Sequence, residues 1–120
     1  VVPKKYINKT LSRVFQAFRI EVNNELNNIF HTIVDAIYLL NSGGRLAIIT
    51  FHSIEDRIVK NLFKSFSKGD STFIEAIGYK ITDCRKLLHL INKKVISPSW
   101  NEIKDNKRSR SAKLRVVERV

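Results

Sequence analysis

Most of the residues that narrow a function quickly are scarce in this chain. Its 120 residues hold no methionine, one cysteine, two prolines and four glycines. The lone Cys84 makes no internal disulfide, which excludes a disulfide scaffold and agrees with a reducing cytoplasm. A free cysteine of this kind reads as a small core residue before it reads as a nucleophile. His31, His52 and His89 lie far apart, with no H-x-x-x-H or C-x-x-C spacing, so no metal site is expected. His31 and His89 read as core or surface histidines. No G-x-G-x-x-G loop and no G-x-S-x-G elbow occurs, which sets aside a dinucleotide fingerprint and a hydrolase nucleophile. No apolar run approaches the ~20 residues of a membrane span. The opening Val1-Val2-Pro3-Lys4-Lys5 has neither an initiator methionine nor a signal-peptide layout, and reads as a segment of a longer protein.

Acidic residues are also few: 11 against 22 Lys and Arg, a net charge of +11. That balance favours a polyanionic partner, most simply nucleic acid. An anionic membrane surface is the alternative, and solubilising basic faces are the bland explanation. Lys4-Lys5, Arg85-Lys86, Lys93-Lys94 and Lys107-Arg108 recur along the chain instead of gathering in one tail, which suits a folded RNA-binding surface. The hydrophobic content of 43% is enough for a core, and the length points to one domain or part of one.

What is present is organised around Gly43 to Arg57. Residues 1–9 read as a basic linker. Leu11, Val14, Phe15, Phe18, Val22, Leu26, Ile29, Phe30, Ile33, Val34, Ile37 and Leu40 then keep helical spacing and form a core stripe. Thr10 or Ser12 is placed to cap its start, and Asn23-Asn24 to divide it, with an asparagine capping the second part. Asn41-Ser42-Gly43-Gly44 ends the helix. Residues 45–51 are an apolar run of strand length, suited to a strand covered on both faces as in a parallel sheet. Ser53-Ile54-Glu55-Asp56 fits a capping box, with Ser53 as the cap and Asp56 reaching back to it. The helix continues to about Phe66. This helix–strand–helix order is that of a doubly wound α/β fold. Further on, 67–71 is a loop, 72–76 a short helix or strand, and Leu87 to Ile91 a strand. Ser97 caps a short helix running from Pro98 to about Asp105. A basic loop at 108–111 leads to a terminal strand in which Ala112, Leu114 and Val116 alternate with Lys113, Arg115 and Val117. The last two strands are placed to pair antiparallel.

Two constellations carry chemistry. The first is His52, Ser53, Asp56 and Arg57 at the carboxyl end of the strand, where open α/β sheets hold their ligands. A capped helix explains Ser53 and Asp56 and leaves His52 and Arg57 unexplained. The second is Arg108, Ser109, Arg110, Ser111 and Lys113. It is either a solvated turn or a set of phosphate contacts that position an RNA without reading its sequence.

These motifs, with residues 15–26, carry a family resemblance. FQAFRIEVNNEL, GGRLAIITFHSIEDRIVK, NKKVISPSWNE and NKRSRSAKLRVVER occur in the order and spacing of the carboxyl-terminal part of the bacterial MraW/RsmH methyltransferases. The chain resembles that family over nearly its whole length, residues 67–84 excepted. Departures are local: Lys9-Thr10 replaces His-Pro, Val95 a proline, and Lys107 the proline before Arg108.

The resemblance implies an α/β class I (Rossmann-like) methyltransferase fold of which residues 1–120 are the later elements, closed by an antiparallel strand pair. It implies methylation of the N4 amine of a cytosine in small-subunit ribosomal RNA, with S-adenosylmethionine as methyl donor and the 30S subunit or its RNA as partner, in the cytoplasm. The donor-binding residues lie mostly outside the chain. His52, Ser53, Asp56 and Arg57 would line the active-site wall; Arg108, Ser109, Arg110, Ser111 and Lys113 would grip RNA. Methyl transfer is an in-line displacement, so positioning dominates, and the target base must be reachable outside a stack. The competing readings are a non-catalytic RNA-binding or ribosome-assembly module, and a truncated gene product with an incomplete core.

Overall fold

Residues 8–15 and 24–120 are described here, in a computed structural model. Residues 8–15 are helical and form the described part of α1. Residues 8 and 9 are therefore helix and not linker, and Thr10 and Ser12 lie inside the helix instead of capping it. Leu11, Val14 and Phe15 are exposed, so this portion of the apolar stripe is not core among the described residues. Residues 1–7 and 16–23, with Gln16, Arg19, Glu21 and Asn23, lie outside them.

Helix α2 runs Glu25–Leu39 and buries Phe30, Ile33 and Ile37, one stripe at three- and four-residue spacing. Its cap is Asn24, as the asparagine pair suggests, in a left-handed conformation (φ 53°) that Asn tolerates better than most residues; its side chain makes no capping hydrogen bond. The chain then reverses at Gly43-Gly44. A Cβ on Gly44 would stand 2.9 Å from the Asn41 carbonyl oxygen, so the turn needs a glycine there. Strand β1, Arg45–Thr50, follows directly.

Helix α3, Ser53–Lys68, buries Val59, Leu62, Phe63 and Phe66 against the α2 stripe. It ends at Gly69, whose positive φ of 70° closes the last turn. A short helix α4, Thr72–Ala76, sends Ile74 into the same core. Tyr79 then stacks on Phe30 (ring centroids 3.8 Å, interplanar angle 9°) and its hydroxyl donates to Asn27 Oδ1. The segment with the weakest sequence signal is thus tied to α2 by an aromatic pair. His31 packs edge-on to the same two rings, a structural role.

Strand β2, Leu88–Leu90, helix α5, Trp100–Asp105, a 3-10 turn at Lys107–Ser111 and strand β3, Lys113–Arg119, complete the chain. The sheet order is β1-β3-β2, and both pairings are antiparallel. The expected antiparallel pairing of the last two strands is present. The expected parallel neighbour of β1 is not among the described residues. Nor is β1 covered on both faces: Ile49 is 58% exposed and Ala47 is also open. An apolar run reports that a strand is buried somewhere, but not which neighbour buries it. The architecture is α/β, with α3 packed on a three-stranded antiparallel sheet and α2 packed on α3.

Candidate functional site

Antiparallel register brings the two constellations together. Thr50, at the carboxyl end of β1, faces Lys113 at the start of β3, and Ile48 faces Arg115. The basic 3-10 turn and the start of α3 therefore share one end of the sheet, although some fifty residues separate them in sequence.

An ion pair joins them. Arg115 donates from Nε to Asp56 Oδ1 (2.8 Å) and from Nη2 to Oδ2 (3.0 Å). This is the bidentate geometry in which guanidinium and carboxylate bind most strongly. Lys113 Nζ stands 4.0 Å from the same carboxylate. Asp56 is 6% exposed, and its carboxyl is held below the usual range. The Arg115 hydrogen bonds are the main cause; the charges of Arg115, Lys113 and Lys60 add to it, and burial opposes them.

This arrangement corrects the capping box. The cap of α3 is His52, extended (φ −128°, ψ 143°), whose carbonyl accepts the Asp56 N–H at 3.0 Å. Ser53 is already helical and exposed. Asp56 does not reach back to the cap, because its carboxylate is bound by a strand 59 residues away. His52 is half-buried at the strand–helix junction, and Arg57 is exposed on the first turn of α3. The missed member of the site is Arg115. Its signal was an arginine between Leu114 and Val116 in an apolar strand, a position that requires a buried counter-charge.

The second constellation divides. Arg108, Arg110 and Ser111 are exposed on the 3-10 turn. Ser109 is buried, and its hydroxyl donates to the Asn106 carbonyl at 2.7 Å. Asn106 Oδ1 also accepts the Arg108 N–H at 3.2 Å. Asn106 and Ser109 therefore hold the turn, and the two arginines project from it. The helix before it begins at Ser99, whose hydroxyl accepts the Glu102 N–H (3.2 Å), and not at Ser97-Pro98. Ser99-x-x-Glu102 is the capping pattern actually used.

Beside the polar cluster a groove of about 420 Å³ runs between α2 and the edge of β1 that has no partner strand among the described residues. Ile29, Ile33, Leu46 and Ile48 form its wall, with Thr50 and Glu55 at one end. The Thr50 hydroxyl is buried and has no hydrogen-bond partner among the described residues, a cost unless something else meets it. Burial pushes the Cys84 thiol up, with Asp70 and Asp83 adding to the effect, which does not favour a thiolate nucleophile. Among the described residues no group of three or more His, Cys, Asp or Glu is arranged to hold a metal, and no helix is long and apolar enough to cross a membrane.

The sequence profile of the MraW methylase family matches residues 1–120. Three curated relatives carry the name ribosomal RNA small subunit methyltransferase H. The Elusimicrobium minutum protein is 46% identical over all of this chain and 36% of its own length. The Ehrlichia chaffeensis protein is 50% identical over 91% of the chain and 33% of its own length. The Clostridioides difficile protein is 51% identical over 90% and 34% respectively. The chain spans about a third of the length of these relatives.

Proposed function

The chain belongs to the MraW methylase family, and from that premise we propose that it forms the RNA-facing part of a ribosomal RNA methyltransferase. In this reading the whole enzyme, acting in the cytoplasm on the 30S subunit or its RNA, transfers a methyl group from S-adenosylmethionine to the N4 amine of a cytosine. Residues 1–120 are the later elements of a class I fold. The apolar groove along β1 is the surface on which the sheet continues.

The described residues do not fit the methyl donor as a complete site. The groove is walled by aliphatic side chains, with Glu25 and Glu55 as its charged members, and it offers no cation for an amino-acid carboxylate. The contribution of this chain is therefore on the acceptor side. His52 and Arg57 face the target from the start of α3. Arg108, Arg110 and Lys113 hold the RNA backbone, while Ser109 fixes their turn. Asp56 keeps Arg115 and Lys113 in place. Rigid placement of the acceptor is what such a transfer needs most, since alignment supplies much of the rate.

The observation that carries this reading is the convergence of both constellations at the carboxyl end of β1, joined by Asp56 and Arg115. The test is methyl transfer by the full protein to 30S subunits, followed by nucleoside analysis for N4-methylcytidine. Labelled N4-methylcytidine is expected. Subunit binding without a methylated cytidine would leave the non-catalytic assembly module as the function.

A further inference from the structure

Arg115 has a second neighbourhood. It also lines a cleft of about 190 Å³ between α3 and the β2–β3 pair, whose other cations are Lys60, Lys64 and Lys93. Phe63 contributes to its lining, and no carboxylate does. The nearest acid in the network, Asp56, is already neutralised by Arg115. Lys60 is close enough to help hold the Asp56 carboxyl down, so the cleft and the ion pair share one field. Cations crowded around a cleft that no carboxylate lines repel one another, and a ligand anion relieves that repulsion.

The rim is fixed in place. Asn92 donates to the carbonyls of Lys94 (2.8 Å) and Leu114 (3.0 Å) and accepts the Val116 N–H (2.7 Å). The Leu114 and Val116 bonds clamp the segment bearing Lys93 onto β3 and the Lys94 bond closes that segment on itself, so the backbone beneath the lysine is ordered before any ligand arrives. The cleft lies at the β2 side of the sheet, across β3 from the edge strand β1. A sheet continuing beyond β1 leaves it open.

We propose that this cleft, ringed by Lys60, Lys64, Lys93 and Arg115, holds a backbone phosphate of the RNA next to the nucleotide presented at the end of β1. The inference rests on the RNA reading above and extends it, since nothing in that reading uses Lys60, Lys64 or Lys93. Three ammonium point charges suit phosphodiester oxygens, and the guanidinium, whose Nε and Nη2 already hold Asp56, adds only its remaining N–H groups. The cleft shares Arg115 with the Asp56 network, which places the phosphate beside the basic turn and gives the RNA a continuous path across this end of the sheet.

The test compares RNA binding by the full protein and its variants across a potassium chloride series, using a single-stranded ribosomal RNA oligonucleotide. For Lys64→Gln/Lys93→Gln, log affinity against log salt should become shallower by about 0.7 for each phosphate that is no longer neutralised. A control of equal charge change, Lys68→Gln/Lys80→Gln, takes one lysine at the carboxyl end of α3 and one in the segment after α4, and should keep the wild-type slope. All four lysines are exposed, and a thermal melt of each variant checks that it folds. An unchanged slope in the cleft variant, with a shallower one in Arg110→Ala, overturns the cleft and leaves the RNA reading standing. Equal weakening in the cleft and control variants overturns it as well, since any positive charge would then serve. Wild-type protein without salt-dependent RNA binding overturns both. Competition by inorganic phosphate or polyglutamate that depends on Lys64 and Lys93, with the RNA slope unmoved, makes the cleft a free-anion or acidic-protein site and refutes the assignment.

Discussion

Replacing Asp56 by alanine strips the carboxylate from a buried cluster containing Arg115, with Lys113 at its edge. The side chains of Asp56 and Arg115 are 9% and 13% exposed. That burial puts the pair among those whose disruption from one side costs about 3–5 kcal/mol, because the remaining charge keeps its desolvation penalty and loses its partner. Lys113 is 40% exposed and contributes little of that. Urea unfolding of the full protein measures the loss. A cycle of Asp56→Ala, Arg115→Met and the double variant isolates the pair, and its interaction energy should lie near the top of the ~0.5–3 kcal/mol range for contacting residues. The sign with pH also follows. The folded Asp56 carboxyl sits below its unfolded value of about 3.9, so its contribution is complete above that value and is lost as pH falls through the folded pKa. The stability gap between wild type and Asp56→Asn should therefore hold from pH 7 to about 5 and close in stronger acid. Additive single costs, or a gap unchanged at low pH, would refute the assignment of this pair as the tie between α3 and β3.

Other perturbations separate scaffold from interface. Arg110→Ala should weaken RNA binding and flatten its salt dependence without lowering the melting temperature; an unchanged slope removes the turn from the interface. His52→Ala in the full enzyme should lower turnover while the protein stays folded, and wild-type turnover would leave His52 as the helix cap alone. Gly69→Ala places a Cβ at positive φ and 3.2 Å from the Lys86 nitrogen. It should cost about 1–2 kcal/mol, read as a lower urea midpoint, whereas a neutral result would show that the α3 terminus relaxes.

The run from α2 through β1 to α3 was legible because each step has a local cause: a periodic stripe, a glycine turn, a short apolar strand and an acidic first helical turn. Its ends fall at Thr50 and Lys68, close to the expected 51 and 66. The details that escaped depend on distant partners. Ser53 and Asp56 satisfy a capping pattern perfectly well as a string, but Arg115 takes the carboxylate, and the extended end of β1 makes His52 the cap. Ser97 and Ser99 flank one proline, and only the Glu102 amide decides between them. The sheet direction was hidden for the same reason, because Leu46 to Thr50 reads identically beside a parallel or an antiparallel neighbour. At the site, the exposed arginines of the turn were evident from charge. The inward Ser109 and the clamp made by Asn92 were not, since their partners are backbone atoms.

The order β1-β3-β2 places the last of the three described strands in the middle of the sheet. Arg45 waits for Glu118, a partner 73 residues further along, before β1 gains its cross-strand ion pair. Until residues 113–119 leave the ribosome, β1 and β2 have no bond to each other and both expose backbone edges. Closing so long a loop is slow. A nascent chain stalled before Lys113 should therefore be more open to proteolysis than the finished chain, even with both helices complete. The same late strand carries Lys113 and Arg115, so a copy of the chain that has not finished its sheet also lacks the ion pair and the surface proposed above for RNA.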